Sequence, residues 1–184
     1  QAPLVLSPAP DTKTRHIQQL STIAPDKIVL GIHISPRKVD QRWPESRFIE
    51  LIQILQHTHR FSFRLFWSPG DENNPQHPGD DQKAARIIQA LPHIPITPCP
   101  TVTLSDLIAA MSLCDQVVCS DGGAMHIAAG LGKPIVCFFG SSNAQQWHPW
   151  GVPHVVLQPK SHHVQDITVS EVVAALSHLT QVHH

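Results

Sequence analysis

Hydrophobic residues along this chain alternate between short unbroken runs and longer stretches in which they recur every three or four positions. The runs at 117–119 and 135–139 contain no polar residue, which is typical of strands buried on both faces of a sheet. Six strands are predicted, at Ile28–Ile34, Ser62–Trp67, Ile94–Thr97, Gln116–Ser120, Pro134–Phe139 and His154–Leu157.

The longer periodic stretches lie between these runs and predict helices. They are Pro44–His57, Asp80–Leu91, Ser105–Leu113, Gly122–Leu131 and Ser170–Leu179. Regular alternation of strand and helix predicts an α/β fold, a Rossmann-like, doubly wound and mostly parallel sheet of about six strands. Ligands of such sheets lie outside the carboxyl ends of the strands. The loops that follow the strands are therefore the first place to look for a site.

The length and net charge of the chain exclude several classes of function. A chain of 184 residues has room for one good core, and its formal net charge of -1 gives no basic surface for nucleic acid or an anionic membrane. It contains no apolar run of about 18 residues, and residues 1–10 lack the pattern of a signal peptide. We expect a protein without nucleic-acid partners or transmembrane segments, located in the cytoplasm.

The sequence pattern favours neither a metal site nor disulfide bonds. The four cysteines include no Cys-x-x-Cys pair, and we expect reduced, structural thiols. The 14 histidines lie mostly in polar or terminal stretches without accompanying cysteine or carboxylate clusters. No metal site is predicted.

The turn Asp121-Gly122-Gly123 is the most informative local feature. It joins the fourth strand to a helix, and a helix start directs free backbone N–H groups and a positive dipole toward one point, which favours an anion such as phosphate. The alternative is an ordinary turn that binds nothing, because aspartate is a common cap and glycine a common turn residue. In either case Asp121 is expected to cap the helix.

A second strand, loop and helix also predict an anion site. After the strand at 28–34 comes a polar loop, and then a helix whose first turn carries Pro44 and Glu45, where a missing N–H and a negative charge are both favourable. This loop contains Ser35 and Lys38. Both loops are expected at the same edge of the sheet, where they would face one anion.

The stretch 119–140, together with Gln41-Arg42-Trp43-Pro44, resembles the C-terminal domain of the heptosyltransferase family, glycosyltransferase family 9, which is one half of a GT-B architecture. The resemblance runs from about Ile28 to the end of the chain and implies a site for the diphosphate of a nucleotide sugar. The residues implied in diphosphate binding are Ser35, Lys38, Gln41, Asp121, Gly122 and Gly123.

Two of these positions depart from the family pattern. Gln41 stands where the family has lysine, and Gly122 stands where it has a hydroxyl residue. Each change removes one contact to the diphosphate, and a charged hydrogen bond is typically worth about 1.5 to 3 kcal/mol. Lys38 or Arg37, in the same loop as Gln41, can restore the charge.

The resemblance also implies residues for the rest of the donor. Glu72 corresponds to a carboxylate that holds ribose hydroxyls, and Thr103 and Leu104 belong to the base-binding stretch. The alternatives are that Glu72 is part of a solvated turn, that Thr103 only caps a helix, and that Leu104 is a core residue. His126 and Ser141 are candidates for the sugar end, and His126 is alternatively a residue that fastens the turn to the neighbouring loop.

The function implied by the resemblance is that of the donor-binding domain of a bacterial enzyme that transfers heptose from ADP-heptose to lipopolysaccharide core, without a cofactor. Residues 1–26 are expected to be an interdomain linker with one short helix, and residues 27–184 the nucleotide-sugar-binding domain. The resemblance assigns the catalytic base and the lipopolysaccharide acceptor site to an N-terminal domain, which we expect to lie outside this chain.

No catalytic residue is therefore assigned here, and the chain alone is expected to be inactive. The resemblance allows the full-length enzyme to associate peripherally with the inner face of the inner membrane. Two other functions stay open at this stage. One is a degenerate nucleotide-binding or interaction module without transfer activity. The other is a different nucleotide-sugar enzyme of GT-B-like fold, such as an epimerase.

Overall fold

The computed structural model of the chain describes residues 4–20 and 26–182. Its sheet has six strands, all parallel, in the order β3-β2-β1-β4-β5-β6. The strands are β1 Ile28–His33, β2 Phe61–Trp67, β3 Ile96–Pro100, β4 Gln116–Ser120, β5 Ile135–Phe138 and β6 His154–Leu157. The Rossmann-like, doubly wound fold predicted from the sequence is confirmed.

Seven α-helices accompany the sheet in the described residues. They are α1 Pro10–Leu20, α2 Glu45–His57, α3 Asp81–Ala90, α4 Leu104–Ser112, α5 Gly123–Gly130, α6 Ala144–Trp147 and α7 Val169–Val182, with short 3-10 turns at Val39–Gln41 and Val164–Asp166. The five helices predicted between the strands are all present. None of the helices within residues 4–20 and 26–182 is long and apolar enough to cross a membrane.

The third strand begins and ends later than predicted. It runs through Pro98 and Pro100, which pair in register with Leu65 and Trp67 of β2. Proline lacks the N–H that a central strand would donate, but β3 is the edge strand of the sheet and needs partners on one side only. The prolines that marked a loop in the sequence are therefore compatible with a strand at this edge.

Two hydrophobic layers cover the sheet. One lies under α2, α3 and α7, and the other under α4 and α5. In the first layer Trp43 packs edge-on against Phe48 with ring centroids 4.9 Å apart and lies 5.0 Å from Phe138. Its indole nitrogen donates to the Ile167 carbonyl at 2.9 Å. These contacts fix the start of α2, and with it the loop that follows β1.

The N-terminal segment packs on the same domain. The Leu6 amide donates to the Gly130 carbonyl at 2.7 Å, and a Cβ added at Gly130 would lie 2.9 Å from the Leu6 side chain. Helix α1 lies against α4. A boundary at residue 26 between a linker and the domain stays a prediction.

The order of strands reverses between β1 and β4. From β1 the chain proceeds to β2 and β3 on one side, and then returns to β4, which pairs with the opposite side of β1. The loops after β1 and β4 therefore diverge and leave a crevice at the carboxyl edge of the sheet. This crevice holds the candidate site.

Candidate functional site

A cavity of about 450 Å³ opens between the loops that follow β1 and β4. All six residues predicted for diphosphate binding line it. These are Ser35, Lys38, Gln41, Asp121, Gly122 and Gly123. The structure thus brings together two segments that lie 80 residues apart in sequence, where Gln41 contacts Asp121.

The helix start at α5 faces open space in the cavity. Gly122, the residue before the helix, has φ +147° and ψ −166°, a conformation that side chains rarely adopt. A Cβ added at Gly122 or Gly123 would have no neighbour within 4 Å. The backbone here is therefore open to a ligand.

The capping role expected of Asp121 is wrong. The cap position is occupied by Gly122, which has no side chain to bond the first turn. Asp121 lies one residue earlier, and its backbone N–H donates to the Phe138 carbonyl at 2.8 Å. Its carboxylate turns away from the helix and accepts a hydrogen bond from the Gln41 amide at 3.0 Å.

Gln41 joins three loops at the back of the cavity. Only 3% of its surface is exposed, and its side-chain nitrogen also contacts the Ser142 hydroxyl at 3.3 Å. Its backbone carbonyl accepts from the Ser120 hydroxyl at 2.6 Å. Gln41 therefore has a structural role. A lysine at this position would neutralise the charge of Asp121, whereas the neutral amide of Gln41 leaves that charge uncompensated.

Positive charge reaches the cavity from its outer rim. Arg37 and Lys38 both line the cavity, and both are exposed. They belong to the same loop as Ser35, whose hydroxyl accepts from the Ser68 N–H at 3.0 Å. An anion in the cavity would have the helix start of α5 on one side and these two cations on the other.

The opposite end of the cavity is apolar. It is formed by Leu104, Leu107, Ala124 and Ile127. Leu104 is 63% exposed, so the alternative expectation that it is a core residue is wrong. Thr103 is outside the lining and caps α4, where its hydroxyl accepts from the Asp106 N–H at 3.1 Å and the Asp106 carboxylate accepts from the Thr103 N–H at 3.3 Å. A further role of Thr103 in base binding stays a prediction.

Glu72 is placed outside the lining of the cavity. Its carboxylate pairs with both terminal nitrogens of Arg86, at 3.3 and 3.1 Å, and Arg86 also binds Glu45. The loop that carries Glu72 is closed at its neck, where a Cβ on Gly79 would approach Gly70 to 2.3 Å. A role in binding ribose stays a prediction, and it would require Glu72 to exchange Arg86 for the ligand.

The two residues predicted for the sugar end are not in the lining either. His126 lies in the first turn of α5, where its backbone N–H donates to the Gly122 carbonyl at 3.3 Å. The Ser141 hydroxyl donates to the Asp40 carboxylate at 2.8 Å, next to the loop that carries Gln41. The roles of both residues stay predictions.

Sequence reasoning missed His33 as a site residue. It ends β1 and lines the cavity with only 8% of its surface exposed. Burial lowers the pKa of His33 to about 4, Asp80 opposes this shift, and Lys83 adds to it. The position of His33 at the carboxyl end of a predicted strand, just before Ser35, was the available signal.

Two buried ionisable groups, Asp80 and Lys83, interact with His33 through their charges. The Asp80 carboxylate, 3% exposed, lies 3.6 Å from the Arg42 guanidinium, and the Lys83 ammonium donates to the Ile34 carbonyl at 3.2 Å. Burial lowers the pKa of Lys83. Nothing in the hydrophobic pattern of α3 predicted a buried lysine at this position.

The described residues contain no group of three His, Cys, Asp or Glu side chains that could hold a metal ion. All four cysteines are free and buried. Burial raises the pKa of Cys114 and of Cys137 to about 12, so these thiols stay protonated at neutral pH. They behave as small apolar residues of the second hydrophobic layer.

Comparison with known proteins identifies the family of the chain. The sequence model described as glycosyltransferase family 9 (heptosyltransferase) matches residues 5–172. Lipooligosaccharide heptosyltransferase 2 of Haemophilus influenzae is 23% identical over 151 residues, which cover 79% of this chain and 41% of that protein. The chain therefore spans less than half the length of this relative.

Solved structures share the fold. The glycosyltransferase of family 9 from Veillonella parvula matches with a TM-score of 0.79 and 19% identity, over 98% of this chain and 55% of its own. A UDP-GlcNAc 2-epimerase from Neisseria meningitidis matches less well, with a TM-score of 0.58 and 15% identity, over 92% of this chain and 40% of its own. Because the family match extends over nearly the whole sequence, this chain belongs to glycosyltransferase family 9, the heptosyltransferase family.

Proposed function

We propose that this chain is the donor-binding domain of a heptosyltransferase-like glycosyltransferase, and that its donor is ADP-heptose or a related nucleotide sugar. The observation that carries the proposal is the unobstructed helix start at Gly122 and Gly123, which faces a cavity with cations on its opposite wall. A helix N-terminus and cationic side chains are complementary to a diphosphate.

The diphosphate would lie between the two loops. The amides that follow Asp121 would donate to one set of phosphate oxygens, and the Ser35 hydroxyl with Arg37 and Lys38 would bind the other. The approach of the backbone to the phosphate depends on the absence of a side chain at position 123. Asp121 itself, as an anion, is unsuited to phosphate and would bind a sugar or ribose hydroxyl.

The nucleoside would extend toward the apolar end of the cavity. Leu104 and Ile127 offer faces against which a planar base can pack. In this pose Thr103 would approach the base through its backbone and Glu72 the ribose. His126 and Ser141 would lie toward the sugar. The loop after β5, whose Gly140 carbonyl accepts a hydrogen bond from the Gln158 side chain at 2.8 Å, would lie there too.

Transfer would require the rest of a larger enzyme. In the proposed reaction an acceptor hydroxyl of lipopolysaccharide core attacks the anomeric carbon, its proton passes to a general base, and the bond to the nucleoside diphosphate breaks. We assign that base to a separate N-terminal domain. This chain would neutralise the charge of the leaving diphosphate, which is a large term in such reactions. The isolated chain would bind donor without turnover.

A degenerate binding module is the second candidate. It is favoured by Gln41, which leaves Asp121 without a cation beside the proposed diphosphate site. Calorimetric titration with ADP, UDP and GDP, and with their sugars, separates the two candidates. Preferential binding of ADP compounds is expected. Absence of binding by all nucleotides at millimolar concentration would leave the degenerate module as the better reading.

A further inference from the structure

We propose that His33, at the end of β1, is a further ligand-binding residue of the cavity, and that its imidazole hydrogen-bonds the nucleoside portion of the donor. This inference rests on the donor-binding function proposed above. It assigns a polar contact with the ligand to a residue for which the family resemblance implies none.

The imidazole of His33 has an unused capacity for hydrogen bonding in the cavity. Three polar side chains of the lining are almost fully buried, those of His33, Gln41 and Ser120. The Gln41 amide donates to the Asp121 carboxylate, and the Ser120 hydroxyl donates to the Gln41 carbonyl. The imidazole of His33 has no hydrogen-bond partner among the described residues, and its pKa responds to burial and to two charges alone. A buried polar group without a partner is costly, and an atom of a ligand would satisfy it.

Both ring nitrogens of His33 can be reached by a ligand. In the part of the chain that the structure describes, the side-chain nitrogens that lack a partner and are fully enclosed belong to His16, Arg42 and Arg64. The nitrogens of His33 lack a partner too, but they are not among these enclosed atoms. Because His33 lines the cavity, its nitrogens are open to a molecule that enters there.

The direction of the His33 side chain places it on the nucleoside side of the cavity. Side chains along a strand alternate between the two faces of the sheet. Ile32 and Ile34 belong to the layer under α2, α3 and α7, so His33 points into the layer under α4 and α5. Phe66, its partner in register on β2, lies in that layer. The apolar end of the cavity is formed by the same two helices, α4 and α5.

The charge state of His33 also favours a nucleoside. Burial lowers the pKa of His33 to about 4, Asp80 opposes this shift, and Lys83 adds to it. At neutral pH the ring is therefore uncharged, with one nitrogen that donates and one that accepts. Ribose hydroxyls and the edge of adenine likewise donate and accept, whereas the oxygens of a diphosphate only accept and bind better to cations. A neutral imidazole is thus better matched to the nucleoside than to the diphosphate.

The test compares His33→Phe with His33→Gln. Phenylalanine keeps a flat ring and removes both nitrogens, whereas glutamine keeps a donor and an acceptor. Binding of ADP, adenosine and pyrophosphate is measured by calorimetry, and thermal melts verify that each variant is folded. We expect His33→Phe to bind ADP and adenosine about tenfold more weakly and pyrophosphate within about twofold of the wild type, with His33→Gln closer to the wild type for all three.

A control and a spectroscopic measurement accompany the titrations. His154→Phe changes a half-buried histidine outside the lining and should alter none of the three affinities. The ring nitrogen signals of His33 in NMR spectra are identified by their absence from His33→Gln. They should shift when ADP is added to the wild type and change little with pyrophosphate, which a role confined to packing would not produce.

Four outcomes would overturn the inference. If His33→Phe binds ADP as tightly as the wild type, or the ring signals do not move with ADP, His33 has no contact with the ligand while the donor-binding function stands. If both variants lose ADP affinity equally, the shape of the ring matters and its hydrogen bond does not. If pyrophosphate is weakened as much as ADP, the nucleoside contact is wrong. Failure of the wild type to bind ADP would instead remove the donor-binding function together with this inference.

Discussion

Gln41 donates its side-chain amide to the carboxylate of Asp121 across the point where the strand order reverses, at 3.0 Å. This hydrogen bond connects the loop after β1 with the loop after β4, and both loops line the cavity. Because it is a bond between a neutral and an anionic group, it holds the two walls together without cancelling the negative charge. The balance of charge at this point should decide how tightly the chain binds a diphosphate.

Gln41→Lys should strengthen nucleotide binding. The ammonium would compensate Asp121 and add a charged hydrogen bond to the diphosphate, and the affinity for ADP should rise about tenfold or more. Calorimetry at two salt concentrations measures the change, with Gln41→Met as the control that removes the donor without adding charge. Unchanged ADP affinity in Gln41→Lys would mean that position 41 does not face the phosphates.

Asp121→Asn tests the role of the carboxylate that accepts the hydrogen bond from Gln41. Asparagine keeps an oxygen that can accept from Gln41, so the melting temperature should change little, while the loss of negative charge should tighten ADP binding severalfold. Titration with ADP and with the nucleotide sugar, next to a thermal melt, provides the measurement. Weaker ADP binding would contradict this expectation, and of the two hydroxyl contacts proposed for Asp121 it would favour the ribose over the transferred sugar.

The two glycines of the turn should respond differently to substitution. Gly122→Ala places a side chain at φ +147° and should lower the free energy of unfolding by about 1 to 3 kcal/mol. Gly123→Val puts branched methyl groups into the cavity and should mainly weaken ADP binding, with a smaller effect on stability. Denaturant unfolding and calorimetry on both variants separate the effects. Full ADP affinity in Gly123→Val would place the diphosphate on the loop after β1 alone.

His33 should make the protein sensitive to acid. Its pKa is about 4 in the folded state against 6.5 ordinarily, so between these values the unfolded chain binds a proton that the folded chain does not. Stability should therefore fall as the pH drops from 6.5 to 4, by up to about 3 kcal/mol from this group. His33→Gln should lose less stability than the wild type over the same interval. Urea unfolding of the wild type and of His33→Gln at a series of pH values measures this difference. Equal losses of stability in the two proteins would contradict the role of His33 in acid sensitivity.

The fold was accessible from sequence because its signals are local. Unbroken apolar runs such as 135–139 identify strands that are covered on both faces, and the structure places the residues of this run alternately in the two hydrophobic layers. The edge strand was harder to place, because Pro98 and Pro100 look like loop residues until the free side of β3 is known.

The candidate site was only partly accessible from sequence. The Asp121 turn and the loop with Ser35 could be paired because both follow strands at the same edge. The ion pair between Glu72 and Arg86 could not be predicted, because the two residues meet only through the packing of α3 against the loop before it. The buried position of Lys83 likewise depends on its environment in three dimensions, which includes Phe48 and Ile34.

The pinched loop between β2 and α3 has a practical consequence. The backbones of Gly70 and Gly79 meet at its neck, and the Gly79 N–H donates to the Asp71 carbonyl at 3.0 Å. All residues from 73 to 78 are exposed beyond this closure. Because the neck fixes both ends, the tip can change in length or chemistry without displacing the strand or the helix. It is a suitable attachment point for an epitope or a fluorescent dye.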